Sequence, residues 1–467
     1  MISYRSLGIT SILLIIITAL SSCSPQPNGI TPGQKTGSPP AISQTVQPTG
    51  LLSSSDFQPE NRTVKERFLL NQNPASPVLV ISPDGQRVAC IGQVENMKFR
   101  SVVLDSIEGK VYDNIQVHSL VFSPDSRHFA YIAVQNRQRM LVIDGVEGQP
   151  YDAIEDFVFS PDSQHYAYAV KMSTSGREGF IVRDGTEGKH YDEAHSPVFS
   201  PDSQRLAYVV TDYVWTRLVL DESPGMTYYE IVDILFSPDS QKLACITVRE
   251  TTNKEFYDRI VRVIVINGRE IVEYPNIDCL IVSPDSQRFA CYARTRTEKY
   301  LVVIEGNDVT STETTLSLAE ASTLNFTPDN RLSFFSHKLY DVEGQRENFE
   351  YLAEIHYQLR PIWSPDGKRL AYVTSQSDNI SKGMSVVLDG IKGEKYPSIY
   401  SMNFSPDSSH LAYTVNDSER NGSFVVVDGV EGRVYDSVSK LVFDSSDHLR
   451  YNAQKGDSIY LVDETMK

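Results

Sequence analysis

An aspartate and a basic side chain recur together along this chain, and a ring of such carboxylates could hold cations or do acid–base work. The aspartates are Asp84, Asp125, Asp162, Asp202, Asp239, Asp285, Asp366 and Asp407. Three positions after each of them stands a base: Arg87, His128, His165, Arg205, Lys242, Arg288, Arg369 or His410. Because the pair repeats so often, we interpret it as a turn in which Asp caps backbone amides beside a solvated base. The three histidines are then exposed residues at strand starts and not metal ligands.

Other catalytic and metal-binding patterns are weak. Gly383-Met384-Ser385 and Gly456-Asp457-Ser458 begin a G-x-S-x-G motif, but neither has the second glycine. There is no C-x-x-C and no H-E-x-x-H. We therefore expect no catalytic residue, no metal site and no cofactor.

The cysteines fit a structural role. Cys90, Cys245 and Cys291 occupy a repeat position where other copies carry tyrosine, so we expect them to fill core space. An oxidising compartment would also permit Cys279 to pair with Cys245 or Cys291.

The turn belongs to a repeat of about 40 residues. Its Ser or Thr stands at positions 82, 123, 160, 200, 237, 283, 327, 364 and 405, and a decayed tenth copy begins at Phe443. Each copy has four short apolar, β-branched runs separated by turn residues, as in Phe424-Val425-Val426-Val427 before Asp428-Gly429. No stretch has a 3.6-residue apolar period. The sequence therefore predicts an all-β fold, since this period suits four strands and four turns.

One of these copies reads Phe199-Ser200-Pro201-Asp202-Ser203 and continues with Leu206-Ala207-Tyr208. The pattern resembles the WD-like repeat of TolB-type proteins and of the propellers attached to prolyl oligopeptidase-type peptidases. The resemblance implies a β-propeller, and the ten copies of the repeat predict about ten four-stranded blades. The last copy supplies three strands, so we predict that the strand-like residues 64–70 complete it and close the ring. Two five-bladed rings are the alternative.

The first residues predict a targeting segment and not a folded domain. Arg5 precedes an apolar run from Ile9 to Leu20 that is too short for a comfortable membrane span. The ending Leu20-Ser21-Ser22-Cys23 resembles the lipobox of bacterial lipoproteins, which implies acylation of Cys23. We expect a signal peptide over residues 1–22, a disordered tether over 23–61, rich in Pro, Ser and Thr, and the propeller over 62–467.

The chain has 467 residues, with 43 Lys and Arg against 60 Asp and Glu, for a formal net charge of −17. This balance argues against nucleic acid, whose phosphates require basic surfaces. It argues equally against binding to anionic lipid through a cluster of basic residues. Membrane attachment is expected through the N-terminal lipid alone, in the bacterial cell envelope, and at the outer membrane if the host has two.

Binding sites are expected where the repeat breaks, at residues 211–215, 249–259, 308–320 and 345–357. Exposed aromatics suit partner recognition, so the candidate residues are Trp215, Phe256 and Tyr257. The predicted function is a monomeric, non-catalytic scaffold that binds another envelope protein or an envelope polymer. The alternative is a propeller enzyme, a glycan hydrolase or lyase, whose site in the central channel would need three or more converging ionisable residues.

Overall fold

The computed structural model describes residues 59–71, 79–94, 99–172, 178–251, 259–316, 318–321, 324–335, 339–341, 361–375 and 383–467. The described residues form ten consecutive antiparallel sheets, here called blades 1 to 10. A strand that precedes blade 1, β1 (Arg62–Asn71), belongs to the last of them. The all-β prediction is confirmed.

The strands of blades 1 to 5 follow one another along the chain. Blade 1 contains β2 (Leu79–Ile81), β3 (Val88–Val94), β4 (Phe99–Leu104) and β5 (Ile107–Tyr112). Blade 2 contains β6 (Asn114–Ile115), β7 (Val121–Phe122), β8 (Phe129–Gln135), β9 (Gln138–Ile143) and β10 (Val146–Tyr151). Blade 3 contains β11 (Ala153–Phe159), β12 (Tyr166–Met172), β13 (Glu178–Arg183) and β14 (Thr186–Glu187). Blade 4 contains β15 (Glu193–Phe199), β16 (Leu206–Asp212), β17 (Trp215–Leu220) and β18 (Ser223–Tyr228). Blade 5 contains β19 (Glu230–Phe236), β20 (Leu243–Glu250), β21 (Ile260–Ile266) and β22 (Arg269–Tyr274).

Blades 6 to 10 continue in the same order. Blade 6 contains β23 (Asn276–Val282), β24 (Arg288–Arg294), β25 (Lys299–Glu305) and β26 (Asp308–Glu313). Blade 7 contains β27 (Asn325–Phe326), β28 (Leu332–Phe335) and β29 (Leu339–Asp341). Blade 8 contains β30 (Ile362–Trp363), β31 (Leu370–Ser375), β32 (Met384–Leu388) and β33 (Ile391–Tyr396). Blade 9 contains β34 (Ser398–Phe404), β35 (Leu411–Asp417), β36 (Gly422–Val427) and β37 (Val430–Glu431), and blade 10 contains β38 (Ser437–Ser445), β39 (His448–Lys455) and β40 (Ser458–Met466).

Two blades depart from the four-strand pattern. In blade 2 a turn of 3-10 helix, Val117–Ser119, divides the first strand into β6 and β7. Blade 7 has three described strands. The one described α-helix, α1 (Leu318–Ala321), is a single turn, and no helix in the described residues has the length and hydropathy needed to cross a membrane.

The predicted closure by the N-terminal strand is confirmed. β1 runs antiparallel to β40, with Val64 opposite Glu464, and completes the sheet in the order β1, β40, β39, β38. This pairing covers the edge of β40 that would otherwise expose unpaired backbone groups. The last blade is therefore built from both ends of the propeller.

Side-chain contacts link the blades in one closed cycle. Shared hydrophobic clusters join consecutive blades from 1 to 7 and from 8 to 10, and the Arg331 guanidinium of blade 7 lies over the Trp363 ring of blade 8. Blades 5 and 6 share a cluster that contains Ile264 and Phe289, and blades 9 and 10 share one that contains Val425 and Leu449. A further cluster joins Leu461 of blade 10 to blade 1. Two five-bladed rings would instead require blade 5 to close on blade 1 and blade 10 on blade 6. The packing thus corresponds to a single propeller of ten blades.

The strand order gives the propeller two different faces. Because each blade is an antiparallel meander, the turn after its first strand and the turn after its third strand lie at the same end. We call this end the turn face. The turn after the second strand and the connection to the next blade lie at the other end, the loop face.

The Ser-Pro-Asp turns link neighbouring blades on the turn face. Within a turn, Ser82 Oγ donates to Asp84 Oδ1 and accepts the Arg87 N–H. The Asp84 N–H then donates to Ser126 Oγ in the next blade, at 2.9 Å. The same bond between blades recurs from Asp125 to Ser163, Asp162 to Ser203, Asp202 to Ser240, Asp239 to Ser286, Asp285 to Asn330 and Asp366 to Ser408.

In six of the described blades, the base of the repeat pairs with a different aspartate from the one in the turn. His128 Nδ1 lies 2.7 Å from Asp144 Oδ2, and Arg87 Nε lies 2.9 Å from Asp105 Oδ2. Each partner aspartate follows the third strand of its blade. Since Arg and His alternate at this position with the same geometry, the pair is part of the repeat, and the histidines are surface residues as predicted.

We call this series of hydrogen bonds between neighbouring blades the belt. It is interrupted at Gly367, which stands where most other blades have the serine that accepts the bond. A Cβ added to Gly367 would lie 3.6 Å from the Asp329 nitrogen, so a serine there should accept the Asp329 N–H. Gly85 has the same φ of 72°, but its Cβ would meet only Arg450 and Leu461. Both substitutions pay the same backbone cost, so we expect Gly367→Ser to be about 1 kcal/mol more stable than Gly85→Ser. Chemical denaturation measures the difference, and equal stabilities would contradict it.

The belt also predicts loss of stability in acid. The hydrogen bond from Ser364 lowers the pKa of Asp366 to about 2, and that from Ser405 does the same for Asp407. An unfolded aspartate has a pKa of about 3.9. The folded chain therefore binds fewer protons below that pH, and the stability present above about pH 4 is lost as the pH falls towards about 2.

Denaturation midpoints at a series of acidic pH values measure this effect. The double variant Asp366→Asn, Asp407→Asn keeps one acceptor oxygen at each position for the Ser and backbone donors but removes two titrating groups. Its midpoint should therefore fall less steeply than that of the unmodified chain. Identical slopes would show that the turn carboxylates do not carry the pH dependence.

Candidate functional site

The segments in which the repeat breaks are attached to the loop face. Residues 211–215 connect the second and third strands of blade 4, and residues 249–259 span the same connection in blade 5. Residues 308–320 include β26 and lead into the connection from blade 6 to blade 7. The fourth segment, 345–357, lies outside the described residues. The turn face carries the regular belt, so the distinctive surface of the molecule is on the loop face.

Trp215 is a partly exposed residue at the start of β17, with 45% of its surface accessible. Its ring stacks on Tyr229, with centroids 5.2 Å apart and an interplanar angle of 11°. Tyr213 and Val214 complete the turn before it and are 81% and 69% exposed. We call Tyr213, Val214, Trp215 and Tyr229 the aromatic patch. Phe256 and Tyr257, the other two candidates, lie outside the described residues.

Hydrogen bonds and an ion pair hold the patch in place. The Tyr213 N–H donates to Asp192 Oδ2 at 2.6 Å, and Asp212 forms an ion pair with Arg217. The Tyr229 N–H donates to the Val248 carbonyl at 2.9 Å. Four groups on three chain segments therefore fix both sides of the stacked pair, and charged groups border its apolar centre.

Tyr213 occupies a conformation that turn chemistry does not favour for tyrosine. Its φ is 60°, in the left-handed region that bulky residues rarely adopt. The corresponding turns of blades 2, 9 and 10 place Asn136, Asn421 and Gly456 at positive φ, the residue types expected there. A tyrosine at this position costs local stability and gains no core contact. Such a residue points to a role on the surface.

Tyr229 was not among the candidates from the sequence, although a signal for it was present. Blade 4 ends in Tyr228-Tyr229. Other blades commonly end in Tyr-Asp, as at Tyr112-Asp113, Tyr151-Asp152, Tyr191-Asp192 and Tyr435-Asp436. The aspartate normally accepts the N–H of a turn, as Asp113 does from Asn136. Its replacement by Tyr229 coincides with the longer connection at residues 249–259. Alignment of the repeats would have identified it.

The enzyme alternative requires ionisable groups from different positions that converge within hydrogen-bond reach. Among the described residues, ionisable groups converge at Asp278 on the first strand of blade 6, which accepts from Arg262 Nη1 at 3.0 Å and from Arg294 Nε at 3.4 Å. One carboxylate between two guanidinium groups is an ion-pair cluster and does not provide an acid and a base. In the described residues, no group of three or more His, Cys, Asp or Glu side chains is arranged to hold a metal ion.

The cysteine positions agree with a role in packing. Cys90, Cys245 and Cys291 are buried free thiols in the described chain, so neither Cys245 nor Cys291 is joined to Cys279 by a disulfide. Burial raises the pKa of Cys245 to about 12, which keeps this thiol protonated and unreactive.

No protein-family model matches this chain, and no curated protein matches it. Solved structures with a similar fold include TolB from Acinetobacter baumannii, 12% identical with a TM-score of 0.26, over 50% of this chain and 65% of that one. Porphyromonas gingivalis dipeptidyl peptidase 4 is 12% identical with a TM-score of 0.45, over 72% and 64%. The propeller domain of the Trilobed protease from Pyrococcus furiosus is 14% identical with a TM-score of 0.29, over 66% and 91%. The propeller assignment itself comes from the sheet order and the packing described above.

Proposed function

We propose that this protein is a lipid-anchored, extracytoplasmic β-propeller that acts as a non-catalytic scaffold and captures a protein partner through the aromatic patch. The observation that carries the proposal is the stacked, exposed Trp215–Tyr229 pair beside Tyr213. Trp and Tyr are the residues most enriched at the energetic centres of protein interfaces. An apolar centre with a charged border has the anatomy of such an interface.

A protein suits this patch better than a charged polymer. Its centre is apolar, and its border includes the acidic residues Asp192 and Glu230 as well as the Asp212–Arg217 ion pair. With a net charge of −17, the chain would repel a polyanion. Phe256 and Tyr257 lie outside the described residues, and their part in binding stays a prediction from the sequence.

Photo-crosslinking from the patch tests this function. A photoreactive phenylalanine analogue in place of Tyr213, in the full chain expressed in its host, should give one specific protein adduct. The matched control is the same analogue in place of Ile391, which is 76% exposed but lies on the turn face. Failure of position 213 to give an adduct, or the same adducts from both positions, would contradict the proposal.

The anchor is proposed to be the acylated Cys23, followed by the tether over residues 24–61. Cys23→Ser should leave the precursor unprocessed or release the protein from the membrane fraction, because no thiol remains to carry the acyl chains. Fractionation and electrophoretic mobility measure this outcome. As a control, Ser21→Ala keeps both the cysteine and the small residue directly before it, and should leave sorting unchanged. A Cys23→Ser protein that stays in the membrane with unaltered mobility would exclude the lipid anchor.

A further inference from the structure

A second feature of the loop face, separate from the aromatic patch, is a cavity between blades 9 and 10. Its volume is about 350 Å³, within the range of small-molecule sites, which is about 300 to 1,000 Å³. The side chains that line it come from β34, β35, β36 and the start of β38, among them Tyr400, Ser401, Thr414, Asn416, Ser423 and Ser439.

The lining is polar but uncharged. Apart from Val438, every lining residue carries a hydroxyl or an amide, and none carries a charge. These groups both donate and accept hydrogen bonds, so they match a ligand that is itself rich in hydroxyls. An ionic ligand would find no counter-charge in this lining.

Several of the lining groups are available to a ligand. Ser423 is only 4% exposed, yet its Oγ makes no hydrogen bond to any described residue. Within the described chain the side chains of Asn416 and Ser439 likewise make none. Ser423 lines the cavity, so its hydroxyl can exchange hydrogen bonds with a ligand there. By contrast, Ser401 and Thr414 already bond each other, at 3.0 Å.

The cavity is also a departure from the repeat. Thr414 stands nine residues after its turn serine, where other blades have Ile132, Val209, Ile246 and Val373. Tyr400 stands five residues before the turn serine, where other blades have Glu155, His195, Val232 and Asp278. Propeller packing does not require hydroxyls or this tyrosine at these positions. Tyr400 is 58% exposed and presents an aromatic ring at the rim.

We propose that this cavity binds a neutral saccharide. The Tyr400 ring packs against the C–H face of a sugar residue, while Asn416, Ser423 and Ser439 exchange hydrogen bonds with its hydroxyls. This assignment goes beyond the protein-binding function and does not depend on it, because the two sites share no residue.

Titration of the full mature chain with cellohexaose, maltohexaose and chitohexaose tests the proposal, with hexagalacturonate as the anionic comparison. We expect at least one neutral hexasaccharide to bind. Tyr400→Ala should weaken its binding at least about tenfold, whereas Tyr400→Phe, which keeps the ring, should change it less than about threefold. Ser423→Ala removes a hydroxyl that lines the cavity and should also weaken binding.

The controls separate this site from the rest of the surface. Val232→Ala changes the equivalent position in blade 5, and Trp215→Ala removes the aromatic patch, so neither should alter saccharide affinity. The proposal is overturned if every neutral hexasaccharide binds more weakly than about 10 mM, if Tyr400→Ala leaves the affinity unchanged, or if hexagalacturonate binds equally well. Failure of photo-crosslinking from Tyr213 would leave these results unaffected.

Discussion

Arg62→Ala is expected to destabilise the propeller by about 3 to 5 kcal/mol, because it leaves a carboxylate buried without its partner. Arg62 and Glu464 form an ion pair in which both side chains are completely buried. The guanidinium also donates to the Val425 and Val430 carbonyls of blade 9, at 3.2 and 3.1 Å. Tyr451 donates to Glu464 Oε1 at 2.7 Å. One arginine on β1 therefore holds the closing strand to both of the final blades.

Burial raises the pKa of Glu464, and Arg62 opposes this effect by stabilising the charged form. Without Arg62, only the hydrogen bond from Tyr451 opposes the effect of burial, so the carboxyl group must either become protonated or remain charged at high cost. Either outcome weakens the seam between β1 and β40. Once β1 detaches, the edge of β40 is open to pairing with other chains, so aggregation should accompany the loss of stability.

Chemical denaturation and light scattering measure the two consequences. Lys65→Ala is the matched control: it lies on the exposed side of the same strand and should stay within about 0.5 kcal/mol of the unmodified chain. The triple variant Arg62→Met, Glu464→Leu, Tyr451→Phe replaces the whole buried polar group by apolar side chains and should recover most of the loss. If Arg62→Ala is as stable as Lys65→Ala, the buried contacts of Arg62 do not stabilise the closure of the propeller by β1.

Loss of the aromatic patch is the second large effect that we expect. An aromatic side chain at the centre of an interface typically contributes 2 kcal/mol or more, so Trp215→Ala should weaken partner capture by about thirtyfold or more. Tyr229→Ala removes the other half of the stacked pair and should cost a similar factor. The two losses should be less than additive, because each ring orients the other.

Affinity for the crosslinked partner, measured with the purified mature chain, gives these factors. Trp215 is partly exposed, so its removal should leave the denaturation midpoint nearly unchanged. Ile391→Ala and Val146→Ala provide controls: both residues are at least 73% exposed and lie at the start of a fourth strand on the turn face. Capture that survives both Trp215→Ala and Tyr229→Ala would show that the partner binds elsewhere.

Much of the architecture follows from local sequence. The Ser-Pro-Asp turn is made by hydrogen bonds within six residues, as between Ser82, Asp84 and Arg87, so each copy predicts the same turn wherever it occurs. Repetition at about 40 residues then predicts a blade, and the incomplete last copy predicts that residues 64–70 supply the missing strand. These inferences succeeded because turn chemistry and β alternation depend on neighbours in the chain.

The sites depend on neighbours in space instead. The sequence identified Trp215 as a departure from the repeat, but Tyr229 becomes its partner only when the connection between blades 4 and 5 brings the two rings together. The cavity between blades 9 and 10 forms only when hydroxyls from the two blades face one another across their junction.

The sequence by itself determined the repeat, the turns, the all-β class and the strand that closes the propeller. The tertiary structure decided which departures from the repeat lie together, and it revealed the buried pair of Arg62 and Glu464. Those two residues stand at opposite ends of the propeller sequence, and neither carries a local pattern that names the other. Side-chain burial and pairing depend on which strands meet, and ring closure brings the first strand against the last.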